Sequence, residues 1–273
     1  MRFSVQTIIL LLITILYTSC SGGSRGAKNY LSEAESAYIE GNYPLAKLKI
    51  DSIKILFPKS FEEINSGFSL MQEIRMAENK RNIQYCDSML HENYSQLNEM
   101  LTKFDFIKDK EYQEIGEYYP KIYPHKTSLD RNGLRSGVRE KGTLYIESIL
   151  LGTTIKHNKI RALSSDGSFA ETNNVTSDGL NYRISTLDKT LEIVRYSGSD
   201  ENGLAQYIYT YRDKPISIEF IGNRNIKVTL TNDAKQAIAQ SFELSSLLLS
   251  IETLKLEKEK SEVLIQYLES KKE

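Results

Sequence analysis

Three histidines (His91, His125 and His157) and two cysteines (Cys20 and Cys86) are the side chains on which metal binding, proton transfer or nucleophilic attack would first draw. None of the histidines stands at metal-ligand spacing from another His, a Cys or a carboxylate pair. His91 falls on the polar side of a helical stretch. His157, between Lys156 and Asn158, reads as a turn residue without a partner motif. The chain contains no Gly-x-Ser-x-Gly elbow, phosphate loop, dinucleotide fingerprint or EF-hand loop. Ser165-Asp166-Gly167-Ser168 is a hairpin turn lacking the further oxygen ligands that calcium needs. Glu62 and Glu63 belong to a charged helix face. No catalytic residue, metal ligand or cofactor is assigned on this basis, and the expectation is a non-enzyme.

Tyr207, Tyr209 and Tyr211 are the strongest candidate binding residues. They alternate with Ile208 and Thr210, so in a strand over 205–212 the three rings would share one face. Tyrosine offers an apolar body and a polar tip, which suits a platform for sugar rings, a peptide or a partner's surface. The same row suits the core face of a sheet, since cross-strand aromatic pairs are ordinary stabilisers.

Cys20 has a different chemistry. It follows a basic start (Arg2), an apolar run over 8–16 and the small residues Thr18 and Ser19. The run is too short to span a bilayer. This segment resembles a bacterial lipoprotein signal peptide, with one departure: Tyr17 stands where an aliphatic residue is usual, and Leu16 comes one position early. The resemblance implies cleavage before Cys20 and lipid on its thiol and amine. Several acyl chains on one residue give stable anchoring where a single chain does not. Cys86 would then be the one remaining thiol, with no intrachain disulfide possible; its place on an apolar seam makes it a small buried hydrophobe. Arg25 does not resemble the acidic surface-export signal of some lipoproteins. The expected location is therefore the outer or inner membrane of a double-membraned bacterium, facing the periplasm. With 35 basic against 36 acidic residues, a net charge of −1 makes no electrostatic case for nucleic acid.

The elements that would position these residues follow from periodicity. Residues 21–27 open on Ser-Gly-Gly-Ser, a flexible tether. Residues 28–57 carry Ala34, Ala37 and Tyr38, then Gly41-Asn42, then Tyr43, Ala46, Ile50, Ile53 and Phe57-Pro58. This pattern of small residues, turn glycine and aromatic fillers resembles one tetratricopeptide-type helical hairpin. A single repeat cannot bury its own face, so it reads as a buttress.

From residue 58 to about 110 runs one long helix. Phe61, Ile64, Phe68, Met71, Ile83, Cys86, Leu90, Tyr94, Leu97, Leu101 and Phe104 recur at the three-and-four spacing of a coiled-coil seam. Residues 233–273 supply a second seam: Leu244, Leu247, Ile251, Leu254, Ile265 and Leu268. Polar residues interrupt the first seam over 75–82 and the second over 257–262. Matching these breaks predicts an antiparallel pair in which residue i faces a residue near about 337 − i.

Residues 111–232 are β-prone. Strands are expected at 144–151, 160–164, 169–175, 180–184, 191–196, 205–212, 215–221 and 226–231, with Asp-Gly and Gly-Asn turns between them. Residues 129–142 read as loop or edge strand. So many short strands imply an antiparallel sandwich or barrel.

The sequence therefore predicts an α+β chain: a signal peptide over 1–20, a helical hairpin, and a long antiparallel coiled coil with an all-β insert at its tip. The expected function is a non-catalytic, lipid-anchored scaffold or adaptor with a protein partner in the envelope. A carbohydrate- or peptide-binding lipoprotein using the Tyr207/Tyr209/Tyr211 face is the alternative. Its parts loosely resemble uncharacterised bacterial lipoproteins, and oligomeric state is open.

Overall fold

The computed structural model describes residues 21–109, 111, 114–124, 130–176, 181–185 and 190–271; Cys20 and His125 lie outside them. The fold is α+β, with five α-helices and two antiparallel sheets among the described residues. The chain divides into two compact units, residues 1–88 with 256–273 and residues 89–255.

In the first unit, α1 (Ser21–Ile39) and α2 (Tyr43–Leu56) fold back on each other. Gly41 takes φ +74°, the left-handed conformation a tight helix-to-helix turn requires. Asn42 caps α2 by accepting from the Leu45 N–H. Ala34, Ala37, Ala46 and Ile50 then pack on Leu70, Met71 and Ile74 of α3 (Phe61–Leu101). Gly67 lets Ile50 approach closely: an added Cβ there would lie 3.2 Å from the Ile50 Cγ2. The tether expected over 21–27 is corrected, because α1 begins at Ser21. Ala27 is fully buried, and at Gly26 a Cβ would press on the Phe57 ring at 2.6 Å, so packing holds this glycine-bearing turn helical.

The inward face of α3 is also rotated from the expected seam. Phe61 and Phe68 are 71% and 56% exposed, while Gly67, Leu70, Met71 and Ile74 turn inward against α1 and α2. The polar stretch that follows is largely taken up by the short helices. Glu78 meets Lys47 at 2.9 Å, and Arg81 donates to the Gly41 carbonyl at 3.3 Å while lying over the Tyr43 ring.

The long C-terminal helix α5 (Asn232–Ser270) turns Leu244, Leu248, Ile251, Ser261 and Leu268 inward. In the first unit Asn82 Nδ2 donates to Ser261 Oγ at 2.9 Å, and Lys258 meets Asp87 at 2.6 Å. In the second unit Asn93 Nδ2 donates to Ser250 Oγ at 3.1 Å. Both Asn–Ser pairs add to 343, as antiparallel neighbours must, six away from the expected 337. Correspondingly, Phe104 packs with Leu244 and Leu248, not beside Asp233.

In the second unit α3 stops at Leu101, although no Gly or Pro occurs between Leu101 and Asp109. Phe104–Ile107 is a strand, β1, paired with β2 (Glu117–Pro120). Phe106 packs on the Tyr118 ring at 4.8 Å and covers Gly116, so β pairing and cross-strand ring contact override the helical pattern. The larger sheet runs β1-β2-β3-β4-β8-β7, with β3 Gly133–Arg139, β4 Leu144–Leu151, β7 Tyr182–Ser185 and β8 Thr190–Ser197. The smaller runs β10-β9-β5-β6, with β5 Lys159–Ser164, β6 Phe169–Glu171, β9 Ile216–Ile221 and β10 Asn225–Thr229. Leu134, Ile146, Leu150, Val194 and Tyr196 of the first sheet share one core with Ile160, Ala162, Ile218 and Phe220 of the second. Ala234 and Ile238 of α5 close it.

The strand expected at 205–212 is an error. Leu204–Thr210 is a short helix, α4, with Leu204, Ala205 and Ile208 in the core. Glu201 accepts from the Gly203 and Ala205 N–H groups and so satisfies its first turn.

Candidate functional site

The larger sheet carries polar side chains on both faces, and each set sits where neighbouring strands place it in register. On the face toward the shared core, Ser148 stands in phase with Ile146 and Leu150 on β4, and Glu192 in phase with Val194 and Tyr196 on β8. The segment 152–158, which passes from β4 to β5, brings His157 between them. Ser148 Oγ lies 2.7 Å from His157 Nε2, and His157 Nδ1 lies 2.6 Å from Glu192 Oε2.

Hydroxyl, imidazole and carboxylate thus stand in the order that activates a serine nucleophile. Their surroundings serve another end. All three residues have no exposed surface. Ser148 Oγ is also 3.3 Å from the Val194 carbonyl, and the Phe220 ring meets the imidazole edge-on at 5.2 Å. Glu192 further accepts from the Thr154 hydroxyl and from the N–H groups of Ile155, Lys156 and His157. One carboxylate therefore organises the whole segment, including Lys156 at φ +54°. At Gly222 a Cβ would meet the His157 backbone at 2.9 Å, so only glycine lets this segment cross β9 so closely.

Burial holds His157 below its ordinary pKa, despite the opposing pull of Glu192, and so keeps it neutral. Burial also pushes the Glu192 carboxyl upward, but hydrogen bonds from Thr154 and His157 outweigh it and leave the group below the usual carboxylate range. The geometry makes this trio a pin joining β4, the crossing segment and β8.

On the opposite face, Arg135, Glu147 and Arg195 form one cross-strand row over β3, β4 and β8. Glu147 bridges both guanidiniums, meeting Arg195 Nε at 2.7 Å. Glu117 of β2 accepts from Arg195 at 2.9 Å, from Tyr119 at 2.5 Å and from Tyr145 at 2.9 Å. Tyr145 lies flat over Gly137, where any Cβ would overlap its ring, and beneath the Arg195 guanidinium at 3.9 Å. Burial works against ionisation of Glu147, yet Arg195 and Arg135 hold it below the usual carboxylate range. Burial and the bond to Glu117 push the Tyr119 hydroxyl up to about 12. Glu117 and Glu147 offset the Arg135 and Arg195 guanidiniums, and Arg139 stands 3.9 Å from Glu117, so paired charges tie four strands together.

The tyrosine row does not survive as a row. On α4, Tyr207 and Tyr211 share one face, with ring centroids 4.7 Å apart, while Tyr209 packs on Phe242 at 5.2 Å beneath Arg212. The Tyr207 hydroxyl accepts from the Ser164 N–H at 3.0 Å and donates to the Ser168 carbonyl at 2.7 Å, so it ties α4 to the β5–β6 turn. His91 is exposed on α3, and Cys86 is 1% exposed, its thiol pushed up by burial and by Glu257.

Among the described residues, no group of three or more His, Cys, Asp or Glu side chains is arranged to hold a metal ion. No described helix is long and apolar enough to cross a membrane. Comparison of the chain with family models, curated proteins and solved structures finds no match.

Proposed function

We propose that this chain is a non-catalytic, lipid-anchored scaffold or adaptor of the bacterial envelope, facing the periplasm and presenting its β-rich unit to a protein partner. The observation that carries the reading is the antiparallel pairing of α3 with α5 through Asn82–Ser261 and Asn93–Ser250. The β-strands lie between the two helices in sequence, which supports reading them as an insert on a coiled-coil pair. The signal segment ending at Cys20 supplies the anchor.

The buried polar groups fit a recognition module better than a catalyst. Ser148, His157 and Glu192 spend their hydrogen bonds on one another, on the Thr154 hydroxyl and on backbone, and the Arg135–Glu147–Arg195 row is paired in turn with Glu117. Such groups specify one strand order; they do not offer a reactive atom to solvent.

Crosslinking in intact cells followed by purification tests the adaptor role. A discrete protein captured by wild type, and lost when exposed residues of the β-rich unit are changed, supports it; a chain recovered alone contradicts it. Palmitate labelling of wild type against Cys20→Ala tests the anchor, and equal labelling rejects it.

A further inference from the structure

Cys20 directly precedes Ser21, the first residue of α1. The fold then returns the far end of α2 to this start. The Phe57 ring packs edge-on against Tyr30 at 5.8 Å and lies over Gly26, six positions from Cys20. The segment joining α2 to α3 therefore stands beside the first turns of α1, which follow Cys20 in sequence.

That segment is apolar where it meets solvent. Ile55 is 76% exposed, Leu56 54% and Phe61 71%. Lys54 and Lys59, both exposed, alternate with them, and Arg25 and Lys28 are exposed on the facing turn of α1. Of the exposed acids nearby, Asp51 lies three positions before Lys54 and Glu62 directly follows Phe61, against the four basic residues Arg25, Lys28, Lys54 and Lys59. Large apolar side chains set among basic ones match the boundary of an anionic bilayer, where the apolar groups enter the headgroup layer and the ammonium groups meet phosphates.

We propose that this surface, formed by Ile55, Leu56 and Phe61 with Lys54 and Lys59, docks on the phospholipid surface beside the anchor. The inference rests on the lipid-anchor reading, and it adds to it: the acyl chains hold the chain at the membrane, and this surface fixes how the first unit meets it. Tethering by lipid alone would leave the segment in water.

The chain contains no tryptophan, so a single introduced indole reports its own surroundings. Full-length Phe61→Trp and Ile55→Trp proteins, purified from membranes and reconstituted into vesicles of phosphatidylethanolamine and phosphatidylglycerol, are compared with Ile39→Trp. Ile39 is 83% exposed at the opposite end of α1. The expected result is a blue shift for F61W and I55W and a loss of their emission with brominated acyl chains, with I39W unchanged. The quenching should weaken in Lys54→Gln/Lys59→Gln backgrounds.

F61W emission that stays red and unquenched overturns the docking, whether or not the protein floats with vesicles. A blue shift that depends on protein concentration and is indifferent to brominated lipid assigns the patch to a second copy, and also overturns it. Absence of palmitate on Cys20 removes the anchor reading by itself, because the indole signal is read separately from the acyl label.

Discussion

Ser148 Oγ stands 2.7 Å from His157 Nε2, and neither residue has any exposed surface. The pair, with Glu192 behind it, has the order of a hydrolytic relay and the burial of a structural joint. Its role is settled by what breaks when each member is changed. Glu192→Gln removes the charge that accepts from one hydroxyl, three backbone N–H groups and the imidazole, and should cost about 2–4 kcal/mol in urea unfolding. Ser148→Ala removes one buried partner and should cost about 1–2 kcal/mol. A Ser148→Ala protein of unchanged stability that had lost an esterase activity would show that the relay is catalytic.

The same joint sets an acid limit on stability. His157 has its pKa lowered from 6.5 by burial, so between that value and its folded value the unfolded chain binds the extra proton. Stability must therefore rise with pH through this window and fall on acidification below about 6.5. Glu147, Glu117 and Glu192 are held below 4.5 in the folded chain, so their contribution is present above that value and is lost as pH falls through the folded values. Thermal melting should show a decline below about 6.5, steepening at lower pH, with the upper part reduced in His157→Gln. A flat profile between about 7 and 5 would mean that His157 is not buried as a neutral group.

Glu147 is the centre of the opposite cluster, between Arg135 and Arg195. Glu147→Gln leaves two guanidiniums facing a neutral group in a buried row and should cost about 3–5 kcal/mol. Glu171→Gln disrupts the more exposed pairing with Lys159 and Arg161 and should cost under about 1 kcal/mol. Equal costs would show that burial does not distinguish the two clusters.

Cys86 is 1% exposed, and burial pushes its thiol above the ordinary value. Both conditions suppress the reactive thiolate. Maleimide labelling of the Cys86 peptide, read by mass spectrometry, should be slower in the native chain than in denaturant by on the order of a hundredfold. Rapid native labelling would place Cys86 off the α3–α5 seam.

The strands that alternate plainly were legible: β4, β5, β8, β9 and β10 lie where Ile146/Leu150, Ile160/Ala162, Ile193, Ile216/Ile218/Phe220 and Ile226/Val228 put them. The α4 error has a physical source. Tyr207, Tyr209 and Tyr211 alternate, but Leu204, Ala205 and Ile208 follow helical spacing, and the buried set was the second one. Residues 129–142 read only as loop or edge strand, whereas β3 is interior, between β2 and β4, because Arg135 and Gly137 look like loop residues. They are tolerable only because Glu147 and Tyr145 lie across from them, information carried by another strand. The relay left a faint local signal: Ser148 and Glu192 are polar residues in the apolar phase of their strands. Its third member was unreadable, since only the crossing of 152–158 brings His157 to them. The offset between the long helices escaped because Glu78 and Arg81 of the polar break bind α2 and its turn, not α5.

The pairing of α3 with α5 is open to a direct chemical test. In a Cys86→Ser background, Asn82→Cys/Ser261→Cys and Asn93→Cys/Ser250→Cys proteins can be treated with a bismaleimide that spans only adjacent side chains. Fast intramolecular crosslinking is predicted for both pairs, and slow reaction for Asn93→Cys with Leu244→Cys, the partner at the offset of 337. Preferential joining of position 93 to 244, or products formed only between separate chains, would contradict the antiparallel pairing and the adaptor reading built on it.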